Sequence, residues 1–385
     1  MTSTKRPRDR RAQILRASAE LFHRDGFHGV GMDQIASEVG ISGPAIYRHF
    51  RGKRDLLLHL ALDSLDRLDE AVRPGTPLDA ALRDLAELGA DRRDLGSLWQ
   101  REIRHLAPDD QVTVRNRMRS VALGLRALLA EARPGLPHAD IDLLCWTVLS
   151  ANFSLTNHDE TLPPDELAAL LHGMTSAVAE AVLLPAAASA AAAPADAVPP
   201  EGIASRRETL VDTATRLFGQ RGYHAVSVSD IGDAAGIAGP SLYHHFTSKG
   251  ELLFEALHRG AAAIQLNLSA ALSTGPTDAE RLAAAVHSYT DFATRHDSLV
   301  SALISEVTHL PPDQLQTILR YQRELAGTWT RLLLAVRPGL PEIPARIRVH
   351  GAITLINDLP RVHALRARPA LADDLTALAL TVLNS

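Results

Sequence analysis

Apolar residues first recur at helical spacing near the N-terminus, where Ile14, Ala17, Leu21 and Phe22 stand at i, i+3, i+7 and i+8, one face of an amphipathic helix. The same face returns as Leu210, Ala214, Leu217 and Phe218 behind Ser205-Arg-Arg-Glu208, an S-x-x-E capping box in which serine and glutamate satisfy N-terminal N–H groups reciprocally. Both helices are predicted to end near a glycine, Gly26 and Gly222. In the first copy a short helix follows over about 32–39, then a Gly40-Ile-Ser turn, a second short helix from Gly43 to His49, and a longer helix from Lys53. Glycine supplies the left-handed backbone of the turn. Pro44 and Pro240 fall in the first turn of the next helix, where a missing N–H costs nothing. Ile35, Ile41, Ile46 and Phe50 are spaced to pack the two short helices together, which makes a helix-turn-helix. No stretch alternates with period two, so the expected fold class is all-α.

The whole pattern occurs twice. Arg10 to Leu60 aligns without a gap onto Arg206 to Ala256, with Leu21/Leu217, Phe22/Phe218, Gly26/Gly222, His28/His224, Ile35/Ile231, Gly40/Gly236, Tyr47/Tyr243, Phe50/Phe246 and Lys53/Lys249 identical. Further on, Glu102-Ile-Arg-His105-Leu-Ala-Pro108-Asp109 matches Glu306-Val-Thr-His309-Leu-Pro-Pro312-Asp313, and Arg133-Pro-Gly-Leu-Pro137 matches Arg337-Pro-Gly-Leu-Pro341. Internal repeats on this scale mean two units in one chain. Residues 1–60 and 201–256 read as helix-turn-helix domains, and 61–184 and 257–385 as helical bodies rich in Leu and Ala. Residues 185–200 are Ala- and Pro-rich without large apolar side chains, a semi-rigid linker.

Composition narrows the class. The 385 residues are 46% apolar but only 4% aromatic, which favours helices over sheets. The single cysteine, Cys145, excludes an intrachain disulfide and a cysteine-built zinc site, and reads as core beside Trp146; a reducing cytoplasm is the expected compartment. No run of 18 apolar residues occurs, so no membrane span is expected. The net charge of −5 rules out a uniformly basic coat for nucleic acid, yet the two N-terminal domains differ. Residues 1–60 hold 11 Lys and Arg against 6 Asp and Glu, or +5, whereas 201–258 hold 5 against 7, or −2.

The segment Phe27-His-Gly-Val-Gly-Met-Asp-Gln-Ile-Ala-Ser-Glu-Val-Gly-Ile-Ser-Gly-Pro-Ala-Ile-Tyr-Arg-His-Phe50, followed by Gly52-Lys-Arg-Asp-Leu-Leu57, resembles the DNA-binding domain of TetR/AcrR-family transcriptional regulators, and Tyr223 to Phe246 with Ser248-Lys-Gly-Glu-Leu-Leu253 resembles a second one. The resemblance implies two TetR-like units, each a three-helix N-terminal domain plus a helical ligand-binding and dimerisation domain. It places Ser42, Gly43, Pro44 and Ala45 at base edges in the major groove, and Gly239, Pro240 and Ser241 in the second copy. Tyr47, Arg48, His49 and Lys53, with Tyr243, His244, His245 and Lys249, become the DNA-backbone set; for Phe50 a packing role is expected instead.

The family's bodies bind a small molecule and pair through their last two helices. The corresponding segments here are Ala139–Asn157 with Asp165–Leu183, and Ile343–Leu365 with Ala370–Leu383, and the two units are expected to form an intramolecular pseudo-dimer on an operator of imperfect twofold symmetry. Trp99, Glu102 and His105, with Glu306 and His309, share a helix face and are the candidate lining of a cavity for a small hydrophobic effector. The competing reading of each Glu-x-x-His pair is a helix end whose histidine caps the last carbonyls ahead of Pro108 or Pro312. Two rivals use the same residues: a di-iron carboxylate oxidase built on the Glu-x-x-His pairs, and a protein-binding adaptor whose second helix-turn-helix has lost DNA. The regulator reading expects no enzyme activity and no cofactor.

Overall fold

The computed structural model describes residues 7–183, 205–236 and 244–385, which divide into two compact units at Glu180 and Ala181. The linker 185–200 and the second reader residues Gly239, Pro240, Ser241 and Tyr243 lie outside the described residues. Every regular element among the described residues is helical, and no helix among them is long and apolar enough to cross a membrane.

In unit 1, α1 (Pro7–Gly29) buries Ile14, Leu21 and Phe22, the stripe its spacing predicts. The helix breaks at Gly26, which takes φ of 70°, a left-handed value that costs glycine nothing. α2 (Met32–Glu38) and α3 (Gly43–Ile46) pack through Ile35 and Ile46, both fully buried. α3 is shorter than the spacing suggests, because backbone turns replace helix from Tyr47 to His49. α4 (Lys53–Ala71) carries its buried face from Leu56 through Leu68, so it runs past the motif-based boundary at residue 60 and belongs to both domain and body. α5 (Leu78–Asp91), α7 (Pro108–Ala132), α8 (His138–Phe153) and α9 (Pro164–Glu180) complete the body, with α5 on α9 and α4 on α7. Between α5 and α7 lie a single turn, α6 (Leu95–Ser97), a wide π-helical turn over Leu98–Glu102, and a tight 3₁₀ turn over Ile103–His105.

Unit 2 repeats the plan. α10 (Arg206–Arg221) begins at Ser205, whose side chain accepts from the Glu208 N–H, and ends at Gly222 with φ of 84°. α11 (Val228–Ala234) starts with a complete capping box from Ser227 and Asp230. α12 (Lys249–Leu272), α13 (Asp278–Arg295), α14 (Asp297–Ser305), α15 (Pro312–Val336), α16 (Glu342–Asp358) and α17 (Leu371–Asn384) follow. The core of the second reader, Leu210, Leu217, Phe218, Ile231, Phe246 and Leu253 among others, is continuous with Ala302, Leu303 and Ile318 of its body.

Candidate nucleic-acid interface

The first reader presents a polar face on an apolar back. Ile46 and Phe50 are buried, while Ser42, Pro44, Tyr47 and Arg48 face solvent and Gly43, Ala45 and His49 are half-buried. Tyr47 is 53% exposed, an aromatic ring that no packing requirement explains. Phe50 has the packing role expected of it: the Arg11 guanidinium lies 5.2 Å from its ring centroid. Gly43 also lies against α2: a Cβ there would stand 2.3 Å from Asp33 Oδ1, the tip of an exposed side chain that can swing aside.

Beside this face, Phe27, His28, Arg51, Gly52, Lys53, Arg54 and Asp55 line an open cleft at the N-terminus of α4, where unpaired N–H groups and the helix dipole favour an anion. Lys53 is partly committed elsewhere. Its ammonium donates to the carbonyls of Phe27 (2.5 Å) and Val30 (2.7 Å) and sits 4.4 Å from the Phe27 ring centroid. Burial lowers its pKa, against the pull of Glu102. Lys249 repeats this with the carbonyls of Tyr223 and Val226, both at 2.8 Å, and the Tyr223 ring at 4.1 Å. One donor of each ammonium is left for a phosphate.

The Glu-x-x-His pairs meet the readers from behind. Glu102, 3% exposed, accepts the Phe27 N–H at 2.9 Å, and the His105 imidazole stacks on the Phe27 ring at 5.1 Å. Glu306, fully buried, accepts the Tyr223 N–H at 2.8 Å and a hydrogen bond from Ser305 Oγ at 2.7 Å, with His309 Nε2 3.5 Å away. His309 in turn stacks on Tyr223 at 5.4 Å. The residue after each left-handed glycine is thus held at its N–H by the body's glutamate, at its carbonyl by lysine and on its ring by histidine. Burial raises the Glu102 pKa, with Arg101 and the Phe27 N–H opposing. Trp99 is half-buried on the same segment, and its indole N–H has no hydrogen-bond partner among the described residues. The proposed cavity-lining residues therefore form a seam between reader and body.

An apolar seam too tight to admit a water molecule lies elsewhere, in unit 2, between Ile264 and Leu268 of α12, Tyr289 and Phe292 of α13 and Leu325 of α15. Sequence reasoning missed these residues, since their periodicity is that of any buried helix face. Among the described residues no three His, Cys, Asp or Glu side chains gather in a metal-holding group, and each Glu-x-x-His carboxylate is spent on a backbone N–H.

In unit 2, His244 is exposed, His245 half-buried and Phe246 buried beneath the Arg207 guanidinium. Arg207 and Arg259 both pair with Glu255, and Arg259 also with Glu208. Of the five cations of 201–258, Arg207 is thus neutralised internally.

Comparison with known proteins agrees with this plan. The profile of the bacterial regulatory proteins of the tetR family matches residues 14–60 and again 210–256, and a tetracyclin repressor-like C-terminal domain matches 275–350. The HTH-type transcriptional activator FasR of Mycolicibacterium smegmatis is 32% identical over 164 residues, 43% of this chain and 74% of that protein. The HTH-type transcriptional regulator BetI of Agrobacterium fabrum is 31% identical over 166 residues, 43% of this chain and 79% of its own length. The solved structure of the ketosteroid transcriptional regulator KstR2 of Mycobacterium tuberculosis, 24% identical, covers 47% of this chain and 95% of that one with a TM-score of 0.43. With the family's N-terminal domain present twice and relatives that are regulators and not enzymes, the chain belongs to the TetR family of bacterial helix-turn-helix regulators.

Proposed function

We propose that this regulator is a cytoplasmic repressor that binds its operator with both readers of a single chain, the first supplying most of the affinity. The observation that carries the reading is the solvent-facing set Ser42, Pro44, Tyr47 and Arg48 on a helix-turn-helix whose apolar side, Ile35, Ile46 and Phe50, is buried, flanked by the basic α4 cleft. Small residues at 42–45 admit the backbone close to base edges, so thymine methyl contact and groove shape carry much of the specificity. Tyr47, Arg48, His49 and the remaining donor of Lys53 set the register on the phosphates. In unit 2 Gly239, Pro240 and Ser241 take the base-edge role, and Tyr243, His244, His245 and Lys249 the phosphates.

The pairing proposed is an intramolecular pseudo-dimer through α8–α9 and α16–α17. α8 buries Leu143, Leu144, Thr147 and Val148, and α16 buries Ile347, Val349, Ala352 and Leu355. Helices this apolar around their circumference need partners on every side. The effector is a small hydrophobic molecule, a chemistry suited to helical bodies whose buried faces are almost wholly Leu, Ala, Val and Ile. Selection of bound duplexes from a random DNA pool by the full chain tests the reading. It expects enrichment of an imperfectly symmetric site bound by one chain; failure to enrich any sequence would overturn it.

A further inference from the structure

One segment of this protein is present in two windings. Residues 94–108 of unit 1 align without a gap onto 298–312 of unit 2, so Ser97 pairs with Ser301, Glu102 with Glu306 and His105 with His309. In unit 2 the segment is regular α-helix up to Ser305. In unit 1 the same number of residues makes one α-turn and then a wide π-turn over Leu98–Glu102, a rare geometry found mostly as single turns at functional sites. Both windings end with the glutamate on the N–H of the residue that follows the left-handed glycine.

The difference lies in what the segment rests on. In unit 2 it is seated on two glycines. A Cβ at Gly219 of α10 would stand 2.1 Å from the Ser298 carbonyl oxygen, and one at Gly260 of α12 would stand 2.6 Å from Leu299 Cδ2. Ser301 Oγ donates to the Gly219 carbonyl at 3.1 Å. At Gly219 reader and body touch backbone to backbone, and at Gly260 the Leu299 side chain fills the space the glycine leaves. In unit 1 the positions of those glycines are His23 and Ser64. His23 Nδ1 lies 3.0 Å from Ser97 Oγ and 3.2 Å from Thr156 Oγ1, and Thr156 Oγ1 accepts the Ser97 N–H at 3.0 Å. Ser64 accepts from the buried Arg92, which is also paired with Asp94. Arg101, on the π-turn itself, donates to the His23 carbonyl at 3.2 Å. The first seam is thus built from side chains wedged between helices, and the second from helices in direct contact.

We propose that the first reader is hinged on its body and the second is not: segment 94–108 passes between the wide winding seen in unit 1 and the regular winding of its twin, with Glu102 as the pivot and His23 as the wedge that holds the wide form. The change needs no insertion, since the same spacing is accommodated both ways, and it turns the residues upstream of Glu102 about the helix axis while the pivot stays on Phe27. A packed segment with two discrete arrangements is what allows a small shift in a body to move a reader. Unit 2, by contrast, carries its reader and body as one piece. The inference rests on the regulator reading for its purpose but not for its test.

Hydrogen exchange followed by mass spectrometry on the full chain is that test. The amides of 98–105 and 27–30 are expected to exchange about tenfold faster than those of 302–309 and 223–226 after intrinsic rates are divided out. His23→Gly, which gives unit 1 the glycine that unit 2 has, is expected to bring the two sets within about threefold of each other. Equal protection of the two segments in the unaltered chain, or a His23→Gly chain in which unit 1 stays fast, overturns the hinge. If the chain enriches no DNA while the exchange contrast holds, the regulator reading alone fails; tight operator binding with equal exchange sinks the hinge alone.

Discussion

In both units a lysine at the head of a long helix and a glutamate from the body grip the same aromatic residue from opposite ends of its peptide, but the surroundings of the grip differ in charge. Arg11 stacks on Phe50 as Arg207 does on Phe246, but around the first reader Arg48, Arg51 and Arg54 also point to solvent. Around the second, Arg207 and Arg259 are folded into pairs with Glu255 and Glu208. The attachment of reader to body is the same in both; the face offered to an anion is not. Duplicate copies separate what the fold needs from what the ligand needs, because the first is held in common and the second is free to diverge.

Breaking the shared grip should have the largest effect. Glu306→Ala leaves the Tyr223 N–H without its acceptor in a dry site, while the Ser305 hydroxyl keeps the Ser301 carbonyl, and should cost about 3 kcal/mol in urea unfolding of the full chain, with Glu102→Ala, at a slightly more exposed site, costing less, about 2. Costs in the opposite order would mean that the first grip, not the second, is the tighter. Gly219→Ala sets a better helix former against a backbone clash with Ser298; the clash should win, for a loss of about 1–3 kcal/mol in the same assay. A neutral or stabilising result would show that α10 and α14 have room to separate.

The electrostatic contrast is sharpened by salt. Arg48→Ala should lower the slope of log affinity against log salt by about one unit without changing the preferred sequence, while Lys53→Ala should lower it by less, since two of that ammonium's donors are already on carbonyls. Lys249→Ala should change the slope least, and equal slopes for the Lys53 and Lys249 variants would remove the asymmetry.

The smallest effect expected is with pH. His23 is held below its ordinary value of 6.5, first by burial and then by Arg101 and Arg93, against Asp94 and Asp159. Its undocked form therefore takes up a proton more readily, so the seam is at full strength above about pH 6.5 and weakens as pH falls toward the lowered value. Protection of 23–30 should drop between pH 7.5 and 5.5 in the unaltered chain and much less in His23→Gln. His296 of unit 2 is lowered too, by burial and Arg295, so only the difference between the two chains is diagnostic.

What could be read without coordinates was local. Gly26, Gly40 and Gly222 mark helix ends because their backbones are left-handed, and the structure has each with positive φ. Pro44 and the Ser205 cap fix helix starts for equally short-range reasons. The work of Glu102 and His105 was not legible, because their partner Phe27 is 75 residues away in sequence, and a carboxylate on a helix looks the same whether it faces a cavity or a peptide N–H. The glycine at 43 had a visible use, closeness to DNA, that concealed its contact with Asp33. Motif length marks a domain boundary at 60 but gives no end for α4, whose Leu65 and Leu68 continue one apolar face into the body.

Two readers encoded at separate places in one chain also have a consequence for inheritance. In an assembly of identical subunits a substitution at a base-reading position strikes both half-sites at once, and the binding site must change symmetrically to follow it. Here Ala45 and its counterpart Ser241 already differ, and either can drift alone. The pairing proposed above would give the operator a left and a right, so the protein would be laid down in one orientation relative to the gene it controls, a polarity that a symmetric regulator cannot have.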